Sequence, residues 1–342
     1  MWRVGSLLVN AVVSLLQAQP SALPEHRIAD IFKPLAGPAE AEKTIALLSF
    51  VITGIIFVVV AGLIVFTVLK FRRKAGETQL QEPPQVYGSN QIEVAWTVIP
   101  ILIVFILIGV SARVIASVEN ASPPNNNMTK VTLIGHQWWW EVKYPDYGIV
   151  TANEIHVPSL PDGAAATYIE LQSMDVIHSF WLPQLAGKTD LIPNRSNYTW
   201  INPKEPGVYF GNCAEYCGTQ HANMLLRVIA QTPADFKKWT LDQQKDAAAA
   251  AQMTPDRQAF ESLSCVNCHA VKGTSSIGKF GPDLTHLMSR QTLGAGVIDN
   301  TPANLRIWVN DPQDPKPGCF MPSLKLTDAE LTQVLNYLGT LK

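Results

Sequence analysis

The chain has 342 residues, with 26 basic and 28 acidic side chains and a net charge of −2. A balance this even leaves no electrostatic footprint for nucleic acid, and the length accommodates two soluble domains with further elements. The five cysteines fall as two close pairs, Cys213/Cys217 and Cys265/Cys268, plus Cys319; this odd total argues against a plain disulfide framework and favours metal or cofactor attachment.

Residues 1–22, MWRVGSLLVNAVVSLLQAQPSA, carry one early arginine and then a mostly apolar stretch. That pattern predicts a secretory signal peptide processed near Ala18 to Ala22, the alternative being a short uncleaved helix on the membrane surface. Two longer apolar runs follow within residues 40–118, at about 44–69 and 94–115, the second interrupted by Pro100. About 20 apolar residues suffice to cross the hydrocarbon core, so both runs are expected to span a bilayer as a helical hairpin. A soluble helix is rarely apolar on every face for so long. Lys70, Arg72, Arg73 and Lys74 close the first run, and such a cluster stays on the cytoplasmic side. Everything beyond about residue 118 is therefore expected outside the cytoplasm, the periplasmic side of a bacterial plasma membrane.

Residues 119–129, ENASPPNNNMT, form a polar connector. From there to residue 231 the pattern changes to short β-branched and aromatic runs separated by Gly, Pro, Asn and Asp, which predicts an all-β sandwich or barrel over 130–231. Residues 232–253 read as a short helix opened by Thr232-Pro233 and an alanine-rich tether. The last unit, 254–342, is predicted all-helical, with helices at 255–264, about 302–310 and 327–340; Thr327 and Glu330 supply a capping box for the last.

The densest chemical signal is Cys213-Ala-Glu-Tyr-Cys217-Gly-Thr-Gln-His221-Ala-Asn-Met224. Soft thiolate and thioether ligands select copper, zinc or iron–sulfur, and the methionine disfavours structural zinc. A mononuclear blue-copper site uses one cysteine. Two cysteines point instead to thiolates bridging a copper pair. His178 supplies a second imidazole, and Met224 and the Glu215 carbonyl complete the set as weaker ligands. The cysteine pair alone also fits a disulfide or half of a zinc site.

These residues resemble the copper domain of subunit II of cytochrome c oxidase. The resemblance covers residues from about 40 to 245. It implies a cupredoxin-like sandwich behind a two-helix membrane anchor and a binuclear CuA centre on His178, Cys213, Glu215, Cys217, His221 and Met224. It also covers Gly135-His136-Gln137-Trp138-Trp139-Trp140, where Trp138 matches the aromatic through which the family receives electrons, and Gly187 to Arg195. By the same resemblance the Glu215 carboxylate binds a magnesium or manganese ion shared with subunit I. Glu93, at the cytoplasmic start of the second span, matches a glutamate at the mouth of a proton channel in subunit I. On pattern alone the tryptophans are equally good core residues, and Glu93 equally an unremarkable carboxylate at headgroup level.

Cys265-Val-Asn-Cys268-His269 is the signature of c-type haem attachment. Cys265 and Cys268 bind covalently and His269 ligates iron; Met321 is the better second axial ligand, with Met288 an alternative that no motif supports. The unit resembles a class I cytochrome c, through Gly281-Pro282-Asp283-Leu284 and the terminal helix as well. Cys319 fits neither site and is expected to be a buried free thiol. The joint resemblance implies the electron-input subunit of a respiratory oxidase: haem c to copper pair to subunit I, with subunit III also in the complex. Oxygen reduction and proton translocation then belong to subunit I, not to this chain. The donor is external: a soluble cytochrome c, a cupredoxin or an upstream respiratory complex. Charges in the haem unit balance, so donor docking there rests more on apolar contact than on steering. A quinol oxidase subunit would lack Cys213 and Cys217. A nitrous-oxide reductase would lack this anchor and the fused cytochrome. A free-standing membrane carrier would not need Glu93 and Glu215.

Overall fold

Pro38 begins the first long helix in a position where its missing N–H has no helical partner to lose. This helix, α1, runs Gly37–Phe71, and α2 runs Asn90–Glu119 with Pro100 inside it. The structure, a computed structural model, describes residues 30–72, 85, 87–119, 128–248 and 252–342. The predicted signal segment 1–22, and Arg73 and Lys74 of the basic cluster, lie outside the described residues. At ~1.5 Å per residue α1 is roughly 50 Å long, well beyond the ~30 Å hydrocarbon core. Along both helices the large apolar side chains are exposed, so their natural surroundings are lipid or another membrane chain.

Both outer ends of this hairpin are tied to the β domain. The Leu35 N–H donates to the Gln184 carbonyl at 2.8 Å, and the Gly37 N–H donates to Asn202 Oδ1 at 2.9 Å. Lys204 pairs with Glu40 at 2.7 Å. At the other end the Trp200 indole donates to the Val118 carbonyl at 2.8 Å. The hairpin tip, where Glu93 stands, is thus a helix length away from the β domain. The chain is membrane-anchored, with its soluble domains on the extracytoplasmic side.

Ten strands build the β domain: β1 Thr129–His136, β2 Trp139–Tyr144, β3 Ile149–Ala152, β4 Glu154–Pro158, β5 Thr167–Ser173, β6 His178–Leu182, β7 Ala186–Leu191, β8 Asn197–Ile201, β9 Gly207–Cys213 and β10 Leu225–Gln231. They form two five-stranded sheets, ordered β3-β2-β1-β5-β8 and β4-β10-β9-β6-β7. Only the β1/β5 and β4/β10 pairings are parallel. Alternation along each strand sends one set of side chains inward. Val131, Leu133, Trp140 and Val142 from one sheet therefore share a core with Ile155, Phe180, Leu182 and Val228 from the other. Helix α3, Pro233–Gln243, follows with Thr232 as its cap and lays Trp239 flat on His156, ring centroids 4.2 Å apart.

The C-terminal domain has helices α4 Pro255–Ser262, α5 Cys265–Cys268, α6 Pro302–Asn310 and α7 Asp328–Leu338. Threonines 254, 301 and 327 each accept a backbone N–H at a helix start, and Thr327 with Glu330 forms the predicted capping box. Phe260, Leu305, Leu331, Val334 and Tyr337 pack together as its core. One element was not expected: a two-stranded ribbon, β11 Thr292–Leu293 with β12 Ile298–Asp299. Two residues per strand are too few for alternation to register in sequence.

This ribbon is where the two soluble domains meet. Glu154 of β4 accepts the backbone N–H groups of Gln291 and Thr292 at 2.7 and 3.1 Å. The Leu225 N–H of β10 donates to the Ala295 carbonyl at 3.0 Å, and Arg290 donates to the Thr151 hydroxyl at 3.3 Å. Burial raises the Glu154 carboxyl above the usual carboxylate range, against the pull of those N–H groups and of Arg290. A raised folded-state value means that its contribution to stability is full below the ordinary carboxylate range and is lost as pH rises through the raised value. Glu154→Gln, neutral throughout, is expected to flatten that part of the pH dependence of thermal unfolding; an unchanged slope would remove Glu154 as its source.

Candidate metal centre and adjoining cavity

Strand pairing assembles the first site. In the second sheet β9 lies between β6 and β10, with Phe180 opposite Cys213 and Asn212 opposite Leu225. His178 opens β6, Cys213 closes β9 and Met224 immediately precedes β10. The Cys213 N–H donates to the Met224 carbonyl at 3.0 Å, which closes the loop 214–223 into a pocket. In that pocket the Cys213 and Cys217 sulfurs are 3.8 Å apart. That is far beyond a disulfide bond of about 2.05 Å, and both thiols are free.

The remaining predicted ligands surround this pair. His178 Nδ1 is 3.9 Å from Cys213 Sγ, and His221 Nδ1 is 3.7 Å from Cys217 Sγ. Met224 Sδ is 3.8 Å from Cys217 Sγ, and the Glu215 carbonyl is 3.1 Å from Cys213 Sγ. His178, Cys213 and Cys217 together form a buried set with ligand atoms within 4.8 Å of one another. The hydrogen bond between the sulfurs holds the Cys213 thiol far below the ordinary range, at about 3, and the same bond pushes Cys217 well up. The protein alone therefore favours one thiolate; a soft cation would be needed to hold both. Two thiolates, two imidazoles and a thioether fit copper.

Asp175 is a site residue to which the sequence reading assigned no role. Its carboxylate accepts His178 Nε2–H at 2.8 Å, which leaves Nδ1 facing the sulfurs. Burial opposes a charge on His178, but Asp175 and then Cys213 outweigh it and raise its pKa. Gly135 lies under the same ring, where a Cβ would fall 2.6 Å from His178 Cδ2. A carboxylate three residues before a predicted ligand was the available signal.

The second site is a cavity of about 320 Å³ lined mostly by the C-terminal domain and, where that domain meets the β domain, also by Trp138 and Asp175. Cys265, Cys268, His269 and Met321 all line it, with Leu305 and Trp308; Met288 is packed in the domain core instead. His269 Nδ1 is 2.7 Å from the Pro282 carbonyl. A carbonyl only accepts, so the proton sits on Nδ1 and the Nε2 lone pair is left for iron. Burial lowers the His269 pKa, which favours the neutral ring. A Cβ on Gly281 would come within 2.6 Å of that ring, so the chain leaves a space that only glycine preserves. An apolar cavity with this donor set fits a covalently held haem. Gln313 shapes the methionine loop, donating to the Cys319 and Met321 carbonyls at 2.9 Å each. Cys319 is a half-buried free thiol whose pKa burial raises.

Trp138 lies between the two sites. It is only 7 % exposed. Its indole N–H donates to the Cys217 carbonyl at 3.0 Å, and its ring lies 5.0 Å from that of Phe320 in the C-terminal domain. Trp140 is wholly in the core, and Trp139 stacks on His136 at 4.3 Å. The Glu215 side chain is exposed beside the buried sulfurs. Glu93 is exposed in the first turn of α2, remote from both sites.

Asp175→Ala should leave the fold intact while lowering copper affinity by ~10–100-fold, the usual cost of losing a carboxylate behind a ligating histidine. Chelator competition on the purified chain measures this. Unchanged affinity would show that the His178–Asp175 bond does not orient the ligand.

Three family profiles match the chain: the transmembrane domain of cytochrome c oxidase subunit II over residues 31–114, its periplasmic domain over 160–231, and cytochrome c over 257–342. The chain is 32% identical over 302 residues to cytochrome c oxidase subunit 2 of Alkalihalophilus pseudofirmus, covering 86% of each chain. It is 32% identical over 330 residues to the Bacillus subtilis protein of the same name, covering 91% of each. Among solved structures, the periplasmic domain of subunit II of cytochrome oxidase from Bradyrhizobium japonicum aligns with 96% of its length and 36% of this chain, at 28% identity and a TM-score of 0.33. The chain belongs to the cytochrome c oxidase subunit 2 family, as a membrane-anchored, electron-carrying subunit fused to a cytochrome c domain.

Proposed function

We propose that the chain is the electron-input subunit of a respiratory cytochrome c oxidase, in which electrons from an external donor arrive at haem c, pass to a binuclear CuA centre and continue to subunit I, where oxygen is reduced to water with proton translocation. The observation that carries this reading is the position of Trp138. It bonds to the carbonyl of Cys217 on one side and meets Phe320, at the wall of the C-terminal cavity, on the other.

In this reading Cys213, Cys217, His178 and His221 would hold the copper pair, with Met224 and the Glu215 carbonyl as weaker ligands. Cys265 and Cys268 would hold the haem covalently, and His269 and Met321 would ligate its iron. Bound, the two centres would supply one-electron chemistry; the protein's part is to hold their ligands in place. Asp175 orients His178, the Pro282 carbonyl orients His269, and Gln313 orients the Met321 loop. Trp138 is covered by the C-terminal domain, so an external donor would dock on that domain rather than on the tryptophan. The donor is a soluble cytochrome c, a cupredoxin or an upstream complex. The exposed Glu215 carboxylate would reach a magnesium or manganese ion shared with subunit I, and Glu93, at the opposite end of the hairpin, a proton channel mouth in that subunit. Subunit III completes the assembly.

Purification from the native membrane should yield a complex with a mixed-valence, multi-line copper EPR signal, one haem c and co-purifying subunit I haem. A mononuclear blue-copper spectrum, or a chain purified without other subunits, would overturn it. Met321→Ala should lower the haem c potential, because a Met/His pair raises it, and should leave the copper signal unchanged. An unaltered potential would place the axial ligand elsewhere.

A further inference from the structure

Lys316 is 3% exposed and belongs to the loop that leads to Met321. Its ammonium has three donors and no acceptor capacity. It donates to three backbone carbonyls: Trp138 at 2.8 Å, Asn223 at 2.9 Å and Gly294 at 2.8 Å. Each carbonyl belongs to a different part of the electron path. Trp138 follows β1 in the copper-binding domain. Asn223 lies between His221 and Met224 in the copper loop. Gly294 sits in the turn between β11 and β12 of the haem domain. Beside it the Gln220 side-chain amide donates to the Pro317 carbonyl. A buried ammonium is expensive unless every donor is matched, and here all three are. Carbonyl acceptors also leave the ammonium without a carboxylate that could draw it to another site.

We infer that Lys316 is a positioning residue for electron transfer: by binding the Trp138, Asn223 and Gly294 carbonyls at once, it locks the haem domain against the copper loop in the one register that brings Phe320 onto Trp138. This inference rests on the haem-to-copper reading above. Lys316 touches neither centre's ligands; it acts by holding the segments that carry them. Because the contact is intramolecular and already formed, transfer between the centres proceeds without a docking search.

The test uses the full chain in its oxidase complex. Lys316→Met keeps the length and apolar stem of the side chain and removes the charge and all three hydrogen bonds. Copper EPR, haem c spectrum and both midpoint potentials are recorded first. Flash-initiated haem-to-copper transfer is then expected to slow by ~10-fold or more, the equivalent of losing even one charge-assisted hydrogen bond between the domains. Hydrogen exchange at the Leu225 amide, which bonds to the haem-domain carbonyl of Ala295, is expected to accelerate in the same variant. An unchanged transfer rate with unchanged Leu225 protection overturns the inference, as does a rate loss wholly explained by a shifted copper potential. If wild type passes no electrons from haem to copper, the functional reading fails instead, and Leu225 exchange still decides whether Lys316 locks the domains. Should Lys316→Met not fold, wild type supplies the second measurement. A transfer rate independent of solvent viscosity and ionic strength supports a locked interface, and a rate that falls with viscosity overturns it.

Discussion

The antiparallel pairing of β10 with β9, and of β9 with β6, is the constraint on which the first site and the contact between the domains depend. It sets Cys213 opposite Phe180, two residues along from His178, and returns the chain from Met224 directly alongside Cys213. Register in a strand is unforgiving, since a slip of one residue turns every side chain to the other face. A slip in β9 would take Cys213 out of the pocket and expose its neighbours. The buried core behind it, with Phe180, Leu182, Leu226 and Val228, therefore fixes the position of Cys213. The same pairing fixes Leu225, whose N–H reaches across to the haem domain, so the ligand register and the domain register are one constraint.

Much of this architecture was legible in the sequence, for identifiable physical reasons. The two spanning helices are read from unbroken apolar length alone, and Thr232, Thr254 and Thr327 mark their helices because a cap is a local interaction. The candidate copper ligands could be collected from spacing and softness because five of the six fall within residues 213–224. Met321 was separable from Met288 only by weak sequence context; the cavity separates them because one lines it and the other packs in the core. Asp175, Gln313 and Lys316 were not legible in their roles. Gln313 and Lys316 act through backbone carbonyls, which carry no residue-type signal, and Asp175, though only three residues before His178, shows its role only once the fold sets its carboxylate on the ring. The covering of Trp138 was also invisible, because the tryptophan motif and Phe320 are far apart in sequence and meet only through domain docking.

The docking itself follows an economy that differs from that of a freely diffusing pair. Two separate proteins must recover the lost translational freedom from the interface, which favours large apolar contact. Here a short tether raises the effective concentration of one domain at the other. The interface is thereby released from supplying affinity and can be built from polar groups that supply geometry. That is its observed character: Glu154 against two backbone N–H groups, Arg290 on Thr151, and Lys316 on three carbonyls.

Buried charges of this kind discriminate sharply between one arrangement and its neighbours. An apolar surface displaced by an ångström or two still buries most of its area, so its energy changes gradually. A buried ammonium displaced by the same amount loses directional bonds and retains its desolvation cost. The energy surface around the docked state is consequently narrow, and alternative registers of the haem domain on the copper domain are disfavoured even though the tether permits them. A narrow docked state matters more here than a strong one, because the tether already prevents escape. The presence of three buried ionisable side chains at one domain boundary, otherwise a poor investment in stability, is explained by that requirement for a single geometry.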